Sequence, residues 1–160
     1  MKIQEHNISI LLTENLQHFN MSKKLEINID FDGTCVTHDY PRVGSDIGSI
    51  PVLKKLVANG HKLILFTMRS HKPFIMFNGS VDFNGLNDAV NWFKNNDIPL
   101  YGIQTNPTQK DWTESPKSYG DLMIDDSALG CPLKYDPAIH HRPFVDWLRV
   151  EEMLIERGIL

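Results

Sequence analysis

Cysteine is scarce in this chain: Cys35 and Cys131 are the two thiols among 160 residues. That excludes a disulfide-stapled scaffold and fits a reducing, cytoplasmic setting. Long hydrophobic runs are also lacking, so no segment reads as a transmembrane helix and no membrane partner is expected. The apolar stretch 8–12 is too short for a secretory signal, with Glu14 close behind it. Positive charge is not in excess either. A net charge of −4 gives no global field to draw in nucleic acid or an acidic membrane. An anionic substrate therefore needs a metal ion or a few placed cations. Internal repeats and low-complexity tracts are absent, and nothing points to an obligate protein partner.

What is present suits one domain. Hydrophobic residues make up 41% of the chain, enough for one continuous core at this length. Residues 1–22 read as an N-terminal extension, with a modest amphipathic helix over 7–19, and residues 23–160 as the functional domain. Isoleucine-rich alternation predicts a strand over 25–30. Ser49 as N-cap and Pro51 in the first turn predict a helix to about residue 59, stopped by Gly60. The almost wholly apolar stretch 62–67 predicts a strand covered on both faces. Residues 69–85 read as irregular, 86–95 as a helix with Ala89, Val90 and Phe93 inward, and 100–104 as a third strand. A polar loop over 106–116, a fourth strand over 121–125 and a last helix over 144–157 complete the order. Strands alternating with helices predict an α/β fold, a three-layer Rossmann-like domain with a central parallel sheet and no large cap domain. Ligands bind beyond the carboxyl ends of such strands.

The polar residues collect at those ends. Asp30 ends the first strand, Thr67 the second, Asp125 and Asp126 the fourth, and Lys117 lies just ahead of the fourth. Several carboxylates brought together repel one another, and a divalent cation relieves the conflict. An all-oxygen donor set suits Mg2+, and the absence of histidine or cysteine from the strand ends argues against zinc. The expected ligands are Asp30, Asp32, Asp125 and Asp126. Asp125 and Asp126 have an alternative reading, as the cap of the turn that follows, and Asp126 could take that role while Asp125 binds metal. Asp30 is the candidate nucleophile toward phosphorus, forming an aspartyl-phosphate. Asp32 suits a general acid and then a base. Gly33 lets the chain turn so that backbone N–H groups face a phosphate. Thr67 offers a hydroxyl to a phosphoryl oxygen. Lys117, preferred over Lys110, offsets negative charge on Asp30 and the phosphoryl group.

The run Ile27-Asn28-Ile29-Asp30-Phe31-Asp32-Gly33-Thr34 resembles the first motif of the haloacid dehalogenase-like hydrolases, Asp-x-Asp-x-Thr after a strand. Thr67 is similar to the second motif, Lys117 to the third, and Asp125-Asp126 to the acidic fourth. The four matches keep the family's order and span residues 25–126. The resemblance implies magnesium-dependent hydrolysis of phosphate esters on a Rossmann-like sheet. It is nearest to the small bacterial and bacteriophage members without a large cap. The loop 34–48 is too short for a folded cap, which leaves selectivity to short loops.

Other residues are weighed individually. Arg69 and Ser70 directly follow Thr67 and are expected at the substrate. His38 and Asp39 occupy a flap-like loop, more readily read as surface than as site. His140-His141-Arg142 reads as a solvated turn in preference to a seat for an anionic leaving group. Trp92, Phe93, Trp147 and Leu148 are expected in the core, Trp112 in a polar loop, and Cys35 as a packing residue. The expectation is a magnesium-dependent phosphomonoester hydrolase. Phosphoryl transfer to an acceptor other than water, or a non-catalytic phosphate-binding module, are the alternatives. Nucleotides or nucleic-acid ends are the partners to test first, by analogy alone.

Overall fold

The computed structural model describes residues 23–72, 74–75 and 81–160. The extension expected over 1–22, with its helix, lies outside the described residues. Four parallel strands form the central sheet: β1 (Glu26–Ile29), β2 (Lys62–Leu65), β5 (Gly102–Ile103) and β6 (Leu122–Ile124), in the order β5-β2-β1-β6. β1 is therefore interior to the sheet, and three of its four residues are buried. β2, beside it, is buried over Leu63, Ile64 and Leu65. Apolar runs of this kind are what a sheet covered on both faces requires.

Register places the site. Ile29 pairs with Leu65 on one side and with Ile124 on the other. The next residues, Asp30, Phe66 and Asp125, emerge level with one another at the carboxyl edge. The backbone confirms the alignment, since Asp30 N–H donates to Ile124 O at 3.0 Å and Phe66 N–H to Ile29 O at 2.9 Å.

Among the described residues, three helices flank the sheet: α1 (Ser49–Ala58), α2 (Gly85–Asn95) and α3 (Trp147–Glu156). The result is an α/β fold of Rossmann-like kind. α1 buries Val52, Leu53 and Leu56, spaced to share one face. Its N-cap is Gly48, in the left-handed region at φ 94°, rather than Ser49. Ser49 is the first helical residue, and its hydroxyl bonds to Cys35 O at 2.9 Å and Asp46 Oδ1 at 2.8 Å. In α2, Ala89 and Phe93 are buried as expected, while Val90 is half-buried.

Two expectations are corrected. The stretch read as irregular, 69–85, contains an antiparallel pair, β3 (Phe74–Ile75) with β4 (Val81–Phe83). The last helix starts three residues later than expected. Phe144–Val145 is strand β8, paired with β7 (Leu133–Lys134), and Val145 N–H donates to Gly33 O at 2.9 Å. Asp146 then caps α3, its side chain accepting from Arg149 N–H. That start turns Trp147, Val150 and Leu154 into the core and leaves Leu148, expected there, 73% exposed. Among the described residues, no helix is long and apolar enough to cross a membrane.

Candidate active site

Carboxylates from two adjacent strand ends meet. One oxygen each from Asp30, Asp125 and Asp126 lies within 4.8 Å of the others. Thr34, wholly buried, ties the group together. Its hydroxyl donates to Asp30 Oδ2 at 3.2 Å and accepts from Asp126 N–H at 3.0 Å. Burial drives the Asp30 carboxyl up to about 7, against the pull of the Phe31 backbone N–H; the negative charge of Asp125 and Asp126 adds to the rise. Burial also raises Asp126, opposed by His38, whose Nε2 sits 3.1 Å from Asp126 Oδ2. His38 itself is held below the usual imidazole range, by burial first, with Asp126 acting the other way.

Three carboxylates in so small a volume, two of them driven upward by burial, make a poor resting arrangement without a counter-charge. Their donor atoms are all hard oxygens on two strand ends, which suits Mg2+. The residues present therefore fit the ion that the sequence implies, through Asp30, Asp125 and Asp126.

Asp32 stands apart from this cluster. Its two oxygens accept from Arg69, Nε to Oδ2 and Nη2 to Oδ1, each at 2.7 Å. This is a bidentate fork, the strongest geometry available to such a pair. Asp32 was expected among the metal ligands, yet among the described residues the convergent set is Asp30, Asp125 and Asp126. Arg69, expected at the substrate, is instead buried on Asp32, with its side chain 1% exposed. Ser70 faces solvent, where its Oγ accepts from Lys72 N–H at 3.2 Å.

Thr67 follows β2 and is half-buried. Its Oγ1 accepts from Arg69 N–H at 3.2 Å, which leaves the hydroxyl hydrogen to be directed elsewhere. Gln104 holds this loop. It accepts from Thr67 N–H at 3.0 Å and donates Nε2–H to the carbonyls of Thr67 and Arg69, each at 2.7 Å. Its backbone adopts φ 63° to do so.

Lys117 is exposed, and among the described residues it makes no ion pair with Asp30. Its backbone is held by neighbouring side chains. Gln109 Nε2 donates to Lys117 O at 2.8 Å, and Ser118 Oγ donates to Asn28 Oδ1 at 2.9 Å. Asn28 Nδ2 in turn donates to Ser118 O at 3.2 Å, which ties the segment beside Lys117 to β1. Lys110, the rival, lies in a 3-10 turn over Gln109–Asp111 and is also exposed.

The turn after Asp30 is built differently from expectation. Gly33 N–H donates to Val36 O at 2.7 Å rather than facing outward. The glycine is needed for space: at φ 81°, a Cβ there would come within 2.2 Å of His38 Nε2 and 2.8 Å of Asp126 Oδ2. Asp125, not Asp126, caps the following turn, with its Oδ1 accepting from Ser127 N–H at 2.8 Å and Ser127 Oγ–H at 2.6 Å. Asp39 turns away, toward Thr37 Oγ1 at 3.0 Å. Trp112 is exposed and packs edge-on against Tyr119. Cys35 is fully buried with its thiol pushed well up by burial, and it packs as expected.

His38, Thr34 and Gln104 are the residues that sequence reasoning placed too low. Thr34 carried a signal, as the last member of Asp-x-Asp-Gly-Thr. His38 and Gln104 carried none, because their partners lie far along the chain.

No family model matches the chain, and no curated protein matches it. A solved structure of a conserved protein from Bacteroides thetaiotaomicron is similar, with a TM-score of 0.62 and 28% identity. The match covers 84% of this chain and 93% of that one. It supports the α/β fold.

Proposed function

We propose that this protein is a magnesium-dependent phosphohydrolase of the haloacid dehalogenase-like kind, acting through an aspartyl-phosphate on Asp30. The observation that carries the reading is the convergence of Asp30, Asp125 and Asp126 within 4.8 Å at the sheet's carboxyl edge. Asp30, Asp125 and Asp126 would hold Mg2+. When bound, the ion offsets carboxylate charge and draws phosphoryl oxygens into the site.

The chain's own residues supply the rest. Thr34 holds Asp30 Oδ2, leaving Oδ1 as the attacking atom. The Thr67 hydroxyl hydrogen and the Lys117 ammonium bind phosphoryl oxygens, where positioning and charge neutralisation make up most of the catalysis. Asp32, on the adjoining turn, protonates the leaving oxygen and then takes a proton from the water that releases phosphate. His38 Nε2 sits beside Gly33 and 3.1 Å from Asp126 Oδ2. Nucleotides and nucleic-acid ends remain the first substrates to try, by analogy.

The test is hydrolysis of p-nitrophenyl phosphate with and without magnesium. Turnover that needs magnesium and disappears in Asp30→Asn supports the reading. Binding of phosphate analogues without turnover refutes it in favour of a binding module.

A further inference from the structure

We propose that the loop between β7 and β8 builds a second anion subsite beside the carboxylate cluster, from His140, His141 and Arg142, and that the substrate is a small molecule carrying two phosphate groups. One phosphate meets Asp30 and the other is held by Arg142. The inference rests on the phosphohydrolase reading above and narrows its substrates.

The hairpin carries the loop to the site. β8 is tied to the catalytic turn, since Val145 N–H donates to Gly33 O at 2.9 Å. The loop itself folds on Asp136. Ile139 and His140 N–H both donate to Asp136 O at 3.0 Å, and Ala138 N–H to Asp136 Oδ1 at 3.0 Å. A run that reads from the sequence as a solvated turn thereby arrives at the rim of the carboxylates. His38 is the joint. Its Nε2 sits 3.1 Å from Asp126 Oδ2, and its ring centroid lies 6.1 Å from that of His140, which is 4.2 Å from that of His141.

The loop's donors are unspent. Arg142 N–H donates to His140 Nδ1 at 3.1 Å. A backbone N–H can only donate, so that ring nitrogen is bare and His140 carries its hydrogen on Nε2. His141 offers at least one N–H in either charge state, so nothing here depends on a histidine gaining a proton. Among the described residues, the Arg142 side chain makes no ion pair and no hydrogen bond. Arg69 and Arg149, by contrast, are paired with Asp32 and with Glu152 and Glu156. After burial, which dominates at both groups, Arg142 is among the charges that act on His38 and Asp126. Its charge is permanent, and it reaches the edge of the cluster.

The chemistry of these groups selects the ligand. A guanidinium with a free fork matches phosphate in two parallel hydrogen bonds, and imidazole N–H groups add to them. The net charge of −4 provides no wider field to hold a long polyanion. The short steps from Asp126 through His38 and His140 to His141 suit two phosphates on one compact molecule.

The experiment compares matched pairs on the full chain with magnesium: adenosine 5′-monophosphate with adenosine 3′,5′-bisphosphate, fructose 6-phosphate with fructose 1,6-bisphosphate, and 3-phosphoglycerate with 2,3-bisphosphoglycerate. p-Nitrophenyl phosphate is the reference. In at least one pair the bisphosphate should be favoured in kcat/KM by about tenfold or more, the worth of one charge-assisted contact. The preference should lie mostly in KM and should vanish in Arg142→Gln. It is judged as a ratio within each protein, so a general loss of activity does not enter. A merely structural arginine would lower both members of a pair alike. A preference absent from every pair, or kept in Arg142→Gln, overturns this inference, while turnover of p-nitrophenyl phosphate leaves the phosphohydrolase reading intact. No turnover of any compound overturns both.

Discussion

Asp126 donates its backbone N–H to the Thr34 hydroxyl at 3.0 Å, across 92 positions of sequence. The same hydroxyl donates to Asp30, so one buried threonine sets the spacing between the nucleophile's turn and the acids at the end of β6. Thr34→Val removes both bonds at nearly constant volume. It leaves a backbone N–H unpartnered, which costs about 1–3 kcal/mol. Partners of this kind are worth about 10–100-fold in metal affinity or activity. Thermal unfolding and a magnesium titration of activity check both numbers.

The elevated Asp30 carboxyl makes the metal-free protein sensitive to pH. The folded group titrates at about 7, against an ordinary value of 3.8. Below about pH 4 both states carry the proton and burial imposes no ionic penalty. As pH rises toward 7 the unfolded chain loses its proton first, so stability falls and then levels off above 7. The fall amounts to roughly 4 kcal/mol at most. Urea unfolding in chelator across pH 4–8 measures it, and Asp30→Asn should abolish most of the slope.

Magnesium should restore what the carboxylates lose. At pH 8, millimolar magnesium should raise the melting temperature of the wild type, by an amount that grows with its concentration over the dissociation constant. The increment should shrink in Asp125→Asn and Asp126→Asn. An equal increment in all three proteins would place the ion elsewhere.

Gly33 is the sharpest steric point in the site. Gly33→Ala puts a methyl on a left-handed residue and within 2.2 Å of His38 Nε2. The backbone alone costs about 1–2 kcal/mol, and His38 must also leave Asp126. Melting temperature and activity should fall together, whereas Lys117→Ala should lower activity about 10²-fold or more. Because Lys117 is exposed, its loss should change stability by less than about 0.5 kcal/mol.

How far these features were legible follows from what fixes each one. Asp30 and Asp125 were readable because apolar strands announce themselves, and parallel register then brings their ends level. The Arg69–Asp32 fork was not, because the two residues are 37 positions apart and no local pattern says that a charged side chain after a strand turns inward. Leu148 was misplaced for a different reason. Trp147 and Leu148 are both expected in the core, but Phe144 and Val145 are extended to pair with β7 and Gly33. The helix therefore begins at Trp147 and turns Trp147, but not Leu148, inward. Either Asp125 or Asp126 can be read from the sequence as the cap of the following turn, since adjacent acids look alike until Ser127 is placed.

The most direct test is to locate the phosphoryl group. Wild-type protein incubated with acetyl phosphate and magnesium, quenched in acid and digested, should carry phosphate on the peptide containing Asp30, at the Asp30 side chain. Phosphate found on another residue, or none at all while hydrolysis proceeds, would contradict the account.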